Sequence, residues 1–170
     1  KIKTILRPKN LSDDYTTTAE VIIHAINWFK QKRCLFSNVC CLYPTATFIK
    51  SLDLIKASSE LDQLNEDMFI FSATSFAYPI QRAFYLDQKG FSKMFNPLLY
   101  NARTQDLISS YHDAGQFYIA SSNTWLTKTD ILQNSKPYII ERWRAQDIDN
   151  QEDWEMAELI FECYRKKNTN

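Results

Sequence analysis

The chain has 170 residues, 45% hydrophobic and 24% charged, and its 20 basic and 20 acidic side chains balance to a net charge of zero. That composition belongs to a globular domain, and a chain of this length buries roughly 70% of its unfolded surface. A neutral chain offers no basic field to hold nucleic acid or an anionic membrane, and no run of about 18 apolar residues is present to cross a bilayer.

Residues 1–10 lack the hydrophobic centre of a signal peptide, and Lys rather than Met stands first, as expected where the natural start lies upstream. Thr17-Thr18-Ala19-Glu20 fits a capping box, and Ile22, Ala25, Ile26 and Phe29 follow on one helical face. Residues 38–43 are short and almost wholly apolar, the pattern of a strand buried on both faces of a parallel sheet. Pro44-Thr45-Ala46-Thr47 ends it, and residues 49–61 read as a helix with Ile49, Leu52, Leu54, Ile55 and Leu61 apolar. Residues 68–73 form a second buried strand. Phe84-Tyr85-Leu86 and residues 91–95 flank Asp87-Gln88-Lys89-Gly90 as a hairpin with Gly90 in the turn. A polar, turn-rich stretch over 96–113 precedes a third strand (114–120), a short helix (about 124–132) and a fourth strand (137–140). The last helix starts near Asn150 and carries Ala157, Ile160, Phe161 and Tyr164. Strands alternating with helices predict a single α/β domain over 1–170, with the hairpin inserted in it.

Cys34, Cys40, Cys41 and Cys163 form no C-x-x-C pair and have no His at zinc spacing, so a reduced, cytoplasmic protein is expected. Only two glycines occur, Gly90 and Gly115, where about 7% is usual. A nucleotide-binding domain spends several glycines where backbone meets phosphate. Either no phosphate is bound, or the phosphate loop lies outside this sequence.

Ligands of α/β sheets sit beyond the C-terminal ends of strands. Residues 43–47, 72–82 and 146–149 occupy such places. With residues 144–148 extended, Asp147 and Asp149 point the same way, about 7 Å apart at Cα. Two such carboxylates suit Mg²⁺, which is commonly held by one or two carboxylates plus substrate phosphates. The same residues also read as a helix start, with Asp149 as N-cap and Glu152 three positions on. Arg103-Thr104-Gln105-Asp106 and Tyr111-His112-Asp113 combine a carboxylate-binding fork with polar side chains suited to a sugar, although His112 also reads as a buried, hydrogen-bonded residue. Gln81 and Arg82 leave the second strand after Pro79 as polar groups, or simply close a surface loop. His24 reads as a packing or solvent-facing residue of the first helix. No Ser-His-Asp or Cys-His spacing points to a covalent nucleophile.

Read together, residues 7–14, Tyr43-Pro44-Thr45-Ala46, Phe71-Ser72-Ala73-Thr74, Pro79-Ile80-Gln81-Arg82-Ala83-Phe84, Arg103-Thr104-Gln105-Asp106-Leu107, residues 111–118 (Tyr-His-Asp-Ala-Gly-Gln-Phe-Tyr) and Gln146-Asp147-Ile148-Asp149 resemble the acylneuraminate cytidylyltransferases, most closely the branch acting on pseudaminic acid. The resemblance runs in order over nearly the whole chain. It implies a Rossmann-like nucleotidyltransferase fold of the glycosyltransferase-A type, its N-terminal part missing. The sheet would be mixed, with helices on both faces and a β-hairpin insertion. Residues of about 84–120 would then serve sugar binding and dimerisation. The implied reaction transfers CMP from CTP to a nine-carbon α-keto acid sugar, releasing pyrophosphate, for surface glycan biosynthesis. Mg²⁺ is the implied cofactor and a homodimer the implied assembly, with neither nucleic acid nor membrane as partner. Carried over by motif, Asp149 holds the metal and Asp147 assists, both as catalytic groups. Gln81, Arg82, Arg103, Gln105, His112 and Asp113 line the sugar pocket, and Tyr43 and Thr45 stand at the strand edge between sugar and nucleotide.

Sialic acid members carry Gln-Pro-Thr-Ser where this chain has Tyr43-Pro44-Thr45-Ala46, which points to pseudaminic acid as the sugar. The family's Gly-, Arg- and Lys-rich phosphate loop does not precede Arg7. The 170 residues alone are therefore expected to have little or no activity. Two readings stand beside this one: a non-catalytic sugar-acid binding or assembly domain, and a CMP-N-acetylneuraminate synthetase.

Overall fold

A computed structural model of the chain describes residues 2–64, 67–128 and 130–168. Its elements are α1 (Thr18–Gln31), β1 (Asn38–Leu42), α2 (Ser51–Gln63), β2 (Ile70–Ser75), β3 (Phe84–Leu86), β4 (Ser92–Met94), β5 (Tyr111–Ser121), α3 (Ser122–Thr127), β6 (Lys136–Ile139) and α4 (Gln151–Asn168). The fold is α/β with a mixed sheet, as the sequence predicts. Strands run in the order β1-β5-β2-β6, and β3 and β4 form a separate ribbon. β1 and β5 are antiparallel, with Asn38 opposite Ser121 and Leu42 opposite Phe117. The Lys136 N–H donates to Phe69 O at 2.9 Å and the Ile140 N–H to Ala73 O at 2.8 Å. Partner numbers that rise together identify β2 and β6 as parallel.

One strand corrects its expectation. β1 is antiparallel and stands at the end of the strand order, and Leu42 is 49% exposed rather than buried. A short apolar run records hydrophobicity but not the direction or number of its neighbours. The predicted helix at about 124–132 is shorter, ending at Thr127, and its residue 129 lies outside the described residues.

The chain divides into two compact units, Lys1–Ser72 with Gly115–Tyr138, and Ala73–Ala114 with Ile139–Asn170. In the first, the Thr17 capping box forms as predicted. The Thr17 N–H donates to Glu20 Oε2 at 2.8 Å, and the Glu20 N–H returns to Thr17 Oγ1 at 3.3 Å. The helix ends in a Schellman turn: the Cys34 N–H reaches Phe29 O at 3.0 Å and the Arg33 N–H reaches Lys30 O at 3.0 Å. That turn forces Arg33 to φ 57°, a left-handed conformation costly for a residue with a Cβ. Along α2, Leu54, Ala57 and Leu61 face a core of Ile70, Phe117 and Ile119. Leu52 and Ile55, equally apolar, are exposed. Trp125 is fully buried edge-on to Phe69 at 4.8 Å, and its indole N–H donates to Val39 O at 3.0 Å.

β5 holds a local distortion with consequences for both of its halves. Gly115 sits at φ 61°, and the next two amides, of Gln116 and Phe117, both donate to Ser72 Oγ, at 3.0 and 3.1 Å. Two consecutive N–H groups turned toward one side are the mark of a bulge, and a buried hydroxyl with two lone pairs satisfies both. Ser72 is wholly buried.

Within the second unit, the Phe76 N–H donates to Ser110 O at 3.0 Å and Thr74 Oγ1 to Ile140 O at 3.0 Å. The hairpin closes as the Asp87-to-Gly90 stretch predicts. Asp87 Oδ1 accepts from the Lys89 and Phe91 amides at 2.9 Å each, and Gly90 takes φ 82°. Arg144 is 2% exposed and pairs with Glu141 at 2.7 Å, while Trp143 stacks on Tyr164 at 5.1 Å.

Two stability measurements test these assignments. Ser72→Ala removes the shared acceptor of two buried amides and should lower the unfolding free energy in urea by about 2 kcal/mol or more. Arg33→Gly should raise it by about 1 kcal/mol, because glycine meets no Cβ penalty at a left-handed cap.

Candidate functional site

The second unit gathers the C-terminal ends of β2 and β6 and the N-terminal end of β5. Because β2 and β6 are parallel, the segments that leave them, 76–82 and 140–149, emerge on one edge of the sheet. β5 begins on that same edge, since Phe76 pairs with Ser110 just ahead of it. Eight of the ten candidate residues therefore belong to this unit: Gln81, Arg82, Arg103, Gln105, His112, Asp113, Asp147 and Asp149.

The carboxylates come together here. Asp147 lies in the irregular segment 145–148, and its carboxyl is held above the usual carboxylate range. The chief cause is partial burial, followed by the negative charge of Asp149, with Asp113 and Asp153 adding smaller contributions. Asp113 reaches this cluster from β5, 34 positions earlier in sequence, a neighbour that spacing alone does not reveal. The start of α4 is capped by different residues from those expected. The Asp153 N–H donates to Asn150 Oδ1 at 3.0 Å, and the Asn150 and Asp149 amides both donate to Asp153 Oδ2 at 3.1 Å. Asn150 is thus the N-cap and Asp153 the third helical residue, replacing Asp149 and Glu152 in that reading. The spacing Asn150-x-x-Asp153 carries this signal in the sequence. The correction leaves the exposed carboxylate of Asp149 outside the cap.

This donor set fits a hard divalent cation. Asp147 and Asp149 are oxygen donors on one short segment, and their mutual repulsion is what a cation would relieve. Among the described residues no group of three His, Cys, Asp or Glu side chains is arranged to enclose a metal. Two carboxylates with the remaining positions left to substrate phosphates and water is the usual Mg²⁺ arrangement.

Three of the polar candidates in this unit are already engaged with neighbouring residues. Gln81 Nε2 donates to Ile108 O at 2.7 Å and to Ser110 Oγ at 3.0 Å. Arg82 Nη2 donates to Thr104 Oγ1 at 2.7 Å. Arg103 forks onto Asp106, Nε to Oδ2 at 2.7 Å and Nη2 to Oδ1 at 3.1 Å, both side chains largely open to water. Gln105 is exposed in the 3-10 turn Thr104–Asp106. His112 is exposed rather than buried, and its ring lies 4.7 Å from that of Phe76. His112 Nδ1 is 2.8 Å from Asp113 O, and a carbonyl can only accept, so Nδ1 carries a proton and Nε2 is the ring nitrogen left for another partner. Phe76, Thr104 and Ser110 are the partners the sequence did not signal, because their contacts cross up to 36 residues.

In the first unit, Tyr43 follows β1 and its N–H donates to Gln116 O at 2.9 Å. Its hydroxyl hydrogen-bonds to Thr18 Oγ1, and its ring meets Tyr118 edge-on at 5.5 Å. Thr45 is half-buried in the tight turn after it, its carbonyl accepting from the Thr47 N–H at 2.7 Å. All four cysteines are free, and burial pushes the Cys41 thiol up to about 11, as expected of an unreactive packing residue.

No protein-family model matches the chain. Among individual proteins, it is 40% identical over 157 residues to the pseudaminic acid cytidylyltransferase of Campylobacter jejuni serotype O:2, covering 92% of this chain and 67% of that one. A Helicobacter pylori protein, named as a pseudaminic acid cytidylyltransferase joined to a UDP-2,4-diacetamido-2,4,6-trideoxy-beta-L-altropyranose hydrolase, is 28% identical over 95% of this chain and 31% of its own. The N-acylneuraminate cytidylyltransferase of Escherichia coli O18:K1:H7 is 29% identical over 96% of this chain and 38% of its own. The extent and identity of the first match decide the matter: the chain belongs to the pseudaminic acid cytidylyltransferase family, within the acylneuraminate cytidylyltransferases.

Proposed function

We propose that the protein transfers CMP from CTP to a nonulosonic acid sugar, most suitably pseudaminic acid, for surface glycan synthesis. The sugar's anomeric hydroxyl would attack the α-phosphorus, the bond to the β-phosphate oxygen would break, and pyrophosphate would leave with the displaced charge. The observation that carries this reading is the 40% identity to a pseudaminic acid cytidylyltransferase over 92% of the chain, together with the oxygen donors Asp147 and Asp149 on one short segment with the charge of Asp113 acting on Asp147. Asp149 and Asp147 would hold Mg²⁺, which when bound supplies charge neutralisation for the phosphates and the departing pyrophosphate.

The chain's own residues would bind and orient the substrate. Arg103 can exchange Asp106 for the sugar's carboxylate, because a guanidinium fork suits either partner. His112 Nε2 would meet a sugar hydroxyl, Gln105 and Asp113 would complete the polar lining, and Gln81 and Arg82, bonded to Ile108, Ser110 and Thr104, would hold that lining in place. Tyr43, with Thr45 beside it, would bear on the choice of sugar. The triphosphate needs a loop rich in glycine and basic residues, and both glycines in these 170 residues are committed to a turn and a bulge. The 170 residues alone should accordingly show little activity. Residues 84–120 would serve both sugar binding and a homodimer of a cytoplasmic enzyme. Phe84, Phe91, Phe95 and Leu98 are all exposed there, Leu98 to 93%, more apolar surface than a lone hairpin normally leaves in water.

Three measurements test this reading. Full-length protein with CTP, Mg²⁺ and pseudaminic acid should release pyrophosphate, and Asp149→Ala should cut the rate by about a hundredfold or more without changing the melting temperature much. No release by wild type, or full activity in Asp149→Ala, would remove the reaction or the metal role respectively. Substituting N-acetylneuraminic acid should lower kcat/KM, and a preference for it would overturn the sugar assignment. In sedimentation velocity, Phe91→Glu with Leu98→Glu should shift the protein toward monomer; an unchanged dimer would free the hairpin from that role.

A further inference from the structure

We propose that Gln81 and Arg82 are positioning residues: together they clip residues 104–110 into the conformation that walls the cleft beside the end of β2. The 3-10 turn Ile80–Arg82 is itself fixed, since the Arg82 N–H donates to Pro79 O at 3.2 Å and the Ala83 N–H to Ile80 O at 2.9 Å. From this base two adjacent side chains reach across 22 to 29 positions of sequence. Arg82 holds the near end of the segment at Thr104 Oγ1, and Gln81 holds the far end at Ile108 O and Ser110 Oγ. Residues 107–110 have no helix or strand of their own and are tied by backbone only at their ends, Leu107 N–H to Thr104 O at 3.3 Å and Phe76 N–H to Ser110 O at 3.0 Å, so side-chain bonds help select their conformation.

The orientation of the Gln81 amide follows from these contacts. Reversed, it would set Oε1 against the carbonyl of Ile108, oxygen against oxygen. As it stands, Oε1 is buried and has no hydrogen-bond partner among the described residues. An unsatisfied buried acceptor is unfavourable. It is tolerated here because both donors of the same amide are used to hold the segment. Between the turn and the segment lies a cleft of about 190 Å³, walled by Ser75, Tyr78 and Pro79 on one side and Thr104, Ile108 and Tyr111 on the other. Arg103 and Gln105 stand at the start of the clipped segment, so its conformation sets where they can meet a sugar acid. That consequence rests on the cytidylyl-transfer reading; the clip itself does not.

The test uses the full-length protein and two independent readouts. Gln81→Glu keeps the size of the side chain and removes its donors. Thr104→Val removes the acceptor for Arg82, while Thr104→Ser retains it, and Thr104 is exposed, so none of its variants threatens the core. Amide hydrogen exchange over 106–110 should accelerate in Gln81→Glu and Thr104→Val and stay at the wild-type rate in Thr104→Ser. In the same two variants KM for the sugar acid should rise about tenfold, the effect of one lost hydrogen bond to a charged or buried group, with kcat and the KM for CTP within about twofold of wild type. Unchanged exchange in both Gln81→Glu and Thr104→Val would overturn the clip. Faster exchange with no change in sugar KM would overturn its link to substrate. A wild-type protein that transfers no cytidylyl group would remove the reaction, and exchange would still decide the clip.

Discussion

Gly115 and Ser72 set the constraint on which the rest of the sheet depends. A strand of eleven residues has to change character partway along: Tyr111 and His112 face water, whereas Phe117 and Ala120 are wholly buried. The left-handed turn of the backbone at Gly115 makes that change possible, and it turns two consecutive amides toward β2. Unpaired in the interior, each would carry the desolvation cost of a lost hydrogen bond. The hydroxyl of Ser72 accepts from both, so a single buried side chain compensates the irregularity. Beyond the bulge, β5 packs as an ordinary core strand; before it, the strand delivers His112 and Asp113 to the polar edge.

At that edge burial, and after it repulsion between carboxylates, act on Asp147. Asp147 has its charged form penalised by burial and by Asp149 and Asp113. The cap of α4 is what keeps Asp149 available. Asn150 and Asp153 cap the helix start by exchanging side-chain-to-backbone hydrogen bonds, so Asp149 gives only its backbone N–H to the cap and keeps its carboxylate exposed. The helix start and the acidic cluster are therefore adjacent but built from different side chains.

Several polar residues of the second unit are already hydrogen-bonded within the chain. Arg103 is neutralised by Asp106, Arg82 by a hydroxyl, and the amide of Gln81 by a carbonyl and a hydroxyl. Hydrogen bonds of this kind hold each side chain in one orientation.

The sequence by itself determined the α/β class, the Thr17 cap, the hairpin at Gly90 and the family. Each of these is written in neighbouring residues or in motifs along the chain. A capping box needs positions i and i+3, a hairpin needs its turn residues, and an amphipathic face needs one helical period. It also located Asp147 and Asp149, whose proximity is local. Tertiary structure alone decided the rest. An apolar run could not say that β1 would pair antiparallel at the end of the strand order, because direction and number of partners are not properties of one segment. Leu52 and Ile55 are as apolar as Leu54, and only the position of the core leaves them in water. Asp113 joined the carboxylates, Phe76 met His112, and Gln81 took hold of Ile108 and Ser110 through contacts spanning 27 to 36 residues. Hydrogen bonds and charge act over a few ångströms of space, and which distant residues come within that range is settled only when the sheet closes.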